Sequence, residues 1–180
     1  MKNITQLVTY SALGLLFTNC VIDATEAETL KSDLGTIKSG LTQSANGTGT
    51  DGGYFWSHWL DTGSATLTMN GNGNYSLSWN VLNGNYVGGK GFATGTASRV
   101  VNYNATFIVT SGDVAYLTLY GWTTNPLVEY YVVESYGNWT PPGGTSSGTV
   151  STDGGTYNLY KMLRSNAPNI TGTNQDFYQY

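Results

Sequence analysis

The chain of 180 residues has a single cysteine, a single histidine and little charge: 10% of its residues are charged, 7 Lys and Arg against 11 Asp and Glu, for a formal net charge of -4. Seven dispersed basic residues cannot neutralise a phosphate backbone, so nucleic acid is not an expected partner. Cys20 alone cannot close an intramolecular disulfide, and His58 alone cannot anchor a Cys/His metal cluster. That sets aside structural zinc and Cys/His nucleophilic catalysis. Sparse charge also argues against a helical bundle or coiled coil. What the chain does have is glycine, 24 residues, and aromatic rings, 13% of the total, in a length suited to one domain.

The first two dozen residues read as a secretory address. Lys2 gives a short positive region, and Leu7 to Phe17 is too short and too mixed to span a bilayer. Residues 1–24 are expected to be a signal peptide cut after Cys20 or Ala24, leaving a secreted, extracellular chain with no membrane association. Lipidation of Cys20 is the alternative, disfavoured by the bulk of Asn19. Ala27, Leu30, Leu34, Ile37 and Leu41 recur at spacings of three and four, which predicts a short amphipathic helix. Ser44 to Thr50 is polar and glycine-rich and reads as a flexible linker, so 25–50 is expected to be a propeptide with a spacer, or else a partner-binding helix.

From Asp51 the pattern changes to short alternating segments rich in Tyr, Trp, Val and Thr, separated by Asn-Gly, Gly-Gly and Asp-Gly pairs. Strands are expected at Asn74–Asn80, Tyr86–Gly88, Ser98–Phe107, Ala115–Trp122, Leu127–Tyr136, Gly148–Thr152, Thr156–Arg164 and Phe177–Tyr180. Many strands without a helix to cover a sheet face predict an all-β domain over 51–180 with two packed sheets, a sandwich or jelly roll.

The hairpin from Tyr116 to Glu134 carries the chemistry. Side chains alternate across a strand, so Tyr120 and Trp122 share one face, as do Glu129 and Tyr131 on the return strand. One pairing is sensible: Leu117, Leu119, Val128 and Val132 make the intersheet core, and Tyr120, Trp122, Glu129 and Tyr131 line the other side. A carboxylate among tyrosines suits a sugar polymer, because rings stack on pyranose faces and phenols bond hydroxyls. A surface Glu among ordinary strand aromatics is the plain alternative. Glu134 is not its partner, being on the opposite face and about 17 Å along the strand.

The segment Asn125-Pro126-Leu127-Val128-Glu129-Tyr130-Tyr131-Val132-Val133-Glu134, preceded by Tyr116-Leu117-Thr118-Leu119-Tyr120-Gly121-Trp122, resembles glycoside hydrolase family 11 endo-1,4-beta-xylanases. The likeness continues through Gly84 to Gly91, Asp153 to Tyr157, Asn166 to Ile170 and Phe177 to Tyr180, covering about Gly53 to Tyr180. It implies a β-jelly roll with a concave cleft for xylan, a retaining mechanism, no cofactor, and a monomer. By position in the motif, Glu129 matches the nucleophile, Tyr120 and Tyr131 the tyrosines around it, and Arg164 and Gln179 the polar neighbours able to favour its anion. Trp59 resembles the tryptophan stacking on sugar in the glycone half, with core filling as its alternative. Pro168 and Ile170 resemble the tip of a thumb loop, with Pro168 as a simple turn former the alternative. Asn85 matches the residue beside the acid/base, where Asn goes with a less acidic optimum.

A retaining site needs two carboxyls about 5 to 5.5 Å apart. In the family the second lies on a strand after the segment resembling Phe177 to Tyr180, so the acid/base glutamate, the last strands and the helix are expected beyond Tyr180. This segment alone is therefore expected to fold poorly and to be nearly inactive. Asp51, Asp61, Asp113, Asp153 and Asp176 sit beside turn-like neighbours and read as turn or cap residues. Asn46, Asn74, Asn104, Asn138 and Asn169 lie in Asn-x-Ser/Thr sequons. A non-catalytic carbohydrate-binding module with the same aromatic face is the competing function, and a xylanase-like inhibitor or lectin keeping the sheet without chemistry is a third.

Overall fold

Strand-forming residues dominate the computed structural model, which describes residues 4–11, 21–23, 40–96, 98–138 and 144–180, the first two stretches through their backbone alone. The strands are β1 Ile4–Ser11, β2 Val21–Asp23, β3 Leu41–Gln43, β4 Gly47–Asp51, β5 Tyr54–Leu60, β6 Ser64–Met69, β7 Tyr75–Asn80, β8 Tyr86–Thr96, β9 Asn102–Asn104, β10 Ala115–Thr124, β11 Leu127–Tyr136, β12 Thr145–Thr152, β13 Gly155–Ala167 and β14 Gln175–Gln179. A nine-stranded sheet runs β12-β13-β14-β11-β10-β1-β8-β5-β4, a three-stranded sheet runs β3-β6-β7, and β2 pairs with β9. The fold is all-β, with sheets packed on one another as in a jelly roll. Among the described residues no helix is long and apolar enough to cross a membrane.

Period-two alternation explains the small sheet. Ala65, Leu67 and Met69 on β6 meet Trp79, Leu77 and Tyr75 on β7 in register, and all six are buried. The strands reverse at Asn70–Asn74, where Gly71 and Asn72 take positive φ (83° and 48°), which these residue types tolerate best. Tyr86 and Ala115 from the large sheet close this core, with Trp56, Phe92 and Leu119 packed at its margin. Truncating Leu67 or Leu77 to Ala would cost about 2–5 kcal/mol, because both are fully buried.

Several expectations change. The linker at 44–50 is in large part β4, held to β5 by five register pairs, and Leu41 lies in β3 rather than at a helix end. Glycine is no obstacle there, since Gly49 faces the Trp56 ring, where a Cβ would collide. The helix expected over 27–37 lies outside the described residues. Ser98–Phe107 shortens to β9; Tyr103 and Phe107 still pack on the core without forming a longer ladder. Strands β5 and β6 were not anticipated. Leu117 is buried and Leu119 borders the core, but Val128 and Val132 are only half-buried, because the three-stranded sheet lies over β5, β8 and β10 rather than over β11.

Candidate active site

Hairpin register puts the expected residues on one face. Trp122 pairs with Glu129 and Tyr120 with Tyr131 across β10 and β11. A bulge between Leu117 and Thr118 interrupts the ladder only near its far end, so the alternation holds where the site lies. β14 then joins β11 in parallel, setting Gln179 beside Glu129. Partners in register point to the same face, so three strands converge on one carboxylate.

Glu129 is 5% exposed. Its Oε1 accepts hydrogen bonds from the phenols of Tyr120 (2.7 Å) and Tyr131 (2.6 Å), and its Oε2 accepts one from Gln179 Nε2 (2.5 Å). A buried charge needs such partners, and charge-assisted bonds are about twice as strong as neutral ones. All three donors are neutral. No ion pair among the described residues joins Arg164 to Glu129.

Arg164 pairs with Phe177 on the face that carries Gln179, but it is exposed. It therefore stands exposed on the rim of the site, without an ion pair to Glu129. Trp59 is 42% exposed and pairs with Val87; its neighbour His58 points into the core. Val87 packs with Tyr120 although β1 separates their strands, as expected on the inner side of a curved sheet. Trp59 and Glu129 thus lie on one concave face, on strands four places apart in the sheet. Core filling is not the role of Trp59.

Asn85 sits where β8 begins, and its backbone N–H donates to Asp61 Oδ1 at 2.5 Å. It is two residues from Val87 and makes no hydrogen bond with Glu129, so it borders the cleft at the Trp59 end. Pro168 and Ile170 are exposed in the loop joining β13 to β14. Asn169 braces that loop: its Nδ2 donates to Thr173 O (2.7 Å) and its Oδ1 accepts from Thr171 N (2.8 Å).

Asp113, just before β10, has its Oδ2 buried without a protein partner; the other acids whose side chains are described are placed elsewhere. Asp51 pairs with Lys90, Asp61 accepts from Thr62 and Asn85, and Asp176 accepts from Asn166 N. Asp153 holds a positive-φ turn position, and Glu134 accepts from Tyr157 on the other face. No cluster of three or more metal-ligating side chains occurs among the described residues. Residues the sequence reading left out of the site are Phe177, whose ring lies 4.9 Å from Trp122, and Val87 on the cleft floor. The alternation of Val87 against buried Tyr86 was the available signal.

Residues 51–180 match the family described as glycosyl hydrolases family 11. The chain belongs to that family. Family 11 relatives include endo-1,4-beta-xylanase Xyn11B of Cellvibrio japonicus, 47% identical over 145 residues, which are 79% of this chain and 40% of that protein. An endo-1,4-beta-xylanase of Phaedon cochleariae is 47% identical over 138 residues, 75% of this chain and 63% of its own length. Endo-1,4-beta-xylanase A of Schizophyllum commune is 48% identical over 135 residues, 74% of this chain and 67% of its own. The chain thus spans about half the length of the first two. The match begins at 51, while β4 begins four residues earlier.

Proposed function

We propose that this family 11 chain carries the nucleophile half of an endo-1,4-beta-xylanase that cleaves xylan with retention. The observation that supports it is Glu129, a buried carboxylate held by three neutral donors at the floor of an aromatic-lined concave face. Neutral donors position the anion without cancelling its charge, as nucleophilic attack requires. A Glu129 oxygen bonds to the anomeric carbon as the bond to the leaving oxygen breaks; water later hydrolyses the glycosyl ester and restores the carboxylate. Trp59 stacks on sugar at one end of the groove, and Arg164 and the Pro168–Ile170 loop face substrate at its rim. Asn85 lies at the Trp59 end.

The leaving oxygen needs a proton from a second glutamate; Asp51, Asp61, Glu134 and Asp176 are engaged elsewhere, and Asp113 lies before β10, at the opposite end of that strand from Trp122, the partner of Glu129. Such a residue fits on a strand between β10 and β8. The position opposite Tyr120 there, held by the backbone of Gln6, is two strands or about 10 Å from β11. Two glutamate side chains reaching inward close that span to the 5 to 5.5 Å of a retaining pair. Removal of residues 1–24 on secretion would free the slot for it. The protein then acts outside the cell, as a monomer, on xylan, without a cofactor.

The test uses 2,4-dinitrophenyl 2-deoxy-2-fluoro-β-xylobioside, whose leaving group departs unprotonated. Mass spectrometry is expected to find one 2-deoxy-2-fluoroxylobiosyl group on Glu129, and none in E129Q. Saturable xylan binding without labelling would support a carbohydrate-binding module instead.

A further inference from the structure

The tyrosine that holds Glu129 is itself held. Trp122 Nε1 donates to the Tyr120 oxygen at 2.7 Å, and Tyr120 donates to Glu129 Oε1 at the same distance. An indole N–H is a donor only, whereas a phenol has one hydrogen and accepting lone pairs. With the indole on its oxygen, the Tyr120 hydrogen is directed toward the carboxylate. Bonds linked this way also polarise one another, so the terminal bond is strengthened.

The same tryptophan touches the other arm of the donor set. Its ring lies 4.9 Å from Phe177 at 60°, and Phe177 is two residues before Gln179, which serves Glu129 Oε2. Trp122 also meets the Tyr120 ring edge-on, at 6.5 Å and 89°. It therefore contacts the β10 donor by hydrogen bond and the β14 donor strand by packing, while its backbone pairs with Glu129 itself.

We propose that Trp122 is a positioning residue of the nucleophile, acting through Tyr120 by its indole N–H and through Gln179 by its ring. This rests on the assignment of Glu129 as nucleophile. The role is separate from sugar stacking: it predicts a loss in the rate of attack at Glu129 with substrate affinity unchanged.

The experiment is a cycle of wild type, W122F, Y120F and the double variant, each treated with the dinitrophenyl fluoroxylobioside. The C1 bond to Glu129 forms, and the C1 bond to dinitrophenolate breaks with its electron pair, so no general acid enters. W122F keeps a ring against Phe177 and deletes the N–H. Its maximal labelling rate is expected to fall roughly 5- to 20-fold, at an unchanged half-saturating concentration and melting temperature. In the Y120F background, where the bond has no acceptor, W122F is expected to change the rate less than twofold. Equal rates for W122F and wild type, or the same fold-loss with and without Tyr120, would overturn the proposal while labelling at Glu129 stands. Labelling at any other residue would overturn the nucleophile and this proposal together. If W122F fails to fold, the indole 15N–1H resonance of Trp122 reads the same bond: Y120F should shift it, and an unmoved resonance rejects the contact.

Discussion

Lys90 and Glu129 are both buried charges in the nine-stranded sheet, one facing the core and the other the concave side. Lys90 is 0% exposed; its ammonium meets Asp51 at 2.7 Å and the Asn72 carbonyl, and lies over the Tyr54 ring. Burial lowers its pKa, against which the Asp51 hydrogen bond and charge act. Glu129, nearly as buried, has phenols and an amide but no cation. One charge is neutralised and joins the fold together; the other carboxylate meets neutral donors alone. Both obey the rule that a buried charge must be matched, and the kind of match separates structure from chemistry.

The sharpest break in this contrast is Glu129→Gln, which in the enzyme completed with its acid/base glutamate is expected to lower xylan hydrolysis by about 10⁴-fold or more while calorimetry shows xylan binding retained. On the other face, Asp51→Ala leaves the Lys90 charge uncompensated and should cost about 3–5 kcal/mol in urea unfolding. Adding Lys90→Met should recover most of that loss, an outcome no companion substitution offers at Glu129. Tyr131→Phe removes one of three donors from Glu129 and is expected to slow its labelling by the dinitrophenyl fluoroxylobioside about tenfold with an unchanged melting temperature.

His58 sharpens the comparison through pH. It sits in the core with Nδ1 3.1 Å from the Tyr86 phenol and Nε2 without a protein partner. Gly88, its register partner, makes this possible: a Cβ there would collide with the phenol. Burial lowers the His58 pKa, partly opposed by the Ser44 backbone, and raises that of Tyr86. As pH falls below about 6.5 the unfolded chain takes up a proton that the folded chain refuses. Stability should therefore fall on acidification, by at most about 1.4 kcal/mol per pH unit from this group. Denaturant titrations of His58→Phe should lack that component of the slope. The smallest effect is expected at Tyr157, whose exposed bond to Glu134 raises its pKa; Tyr157→Phe should change stability by about 0.5 kcal/mol or less in thermal melts.

The hairpin was legible because β10 and β11 alternate with period two and one face is polar, so Glu129, Tyr120 and Tyr131 could be grouped before any coordinates. β5 was not, since Tyr-Phe-Trp-Ser-His-Trp-Leu has large side chains on both faces and shows no alternation. β4 was read as linker because Gly-Thr-Gly-Thr carries little strand propensity; its pairing comes from β5 and the Trp56 ring over Gly49. Placing Arg164 next to Glu129 required the register of β13 on β14, and that register leaves Arg164 at the rim.

Local order along the chain determined the strand periodicity, the turn positions and the motif around Glu129, because backbone sterics and side-chain alternation act over neighbouring residues. Tertiary structure decided that Gln179, fifty residues on, reaches the second oxygen of Glu129, that Trp122 holds Tyr120, and that Lys90 rather than Glu129 receives a counter-charge. Those outcomes depend on which strands become neighbours, and sheet pairing is settled by the burial of whole faces rather than by any one segment.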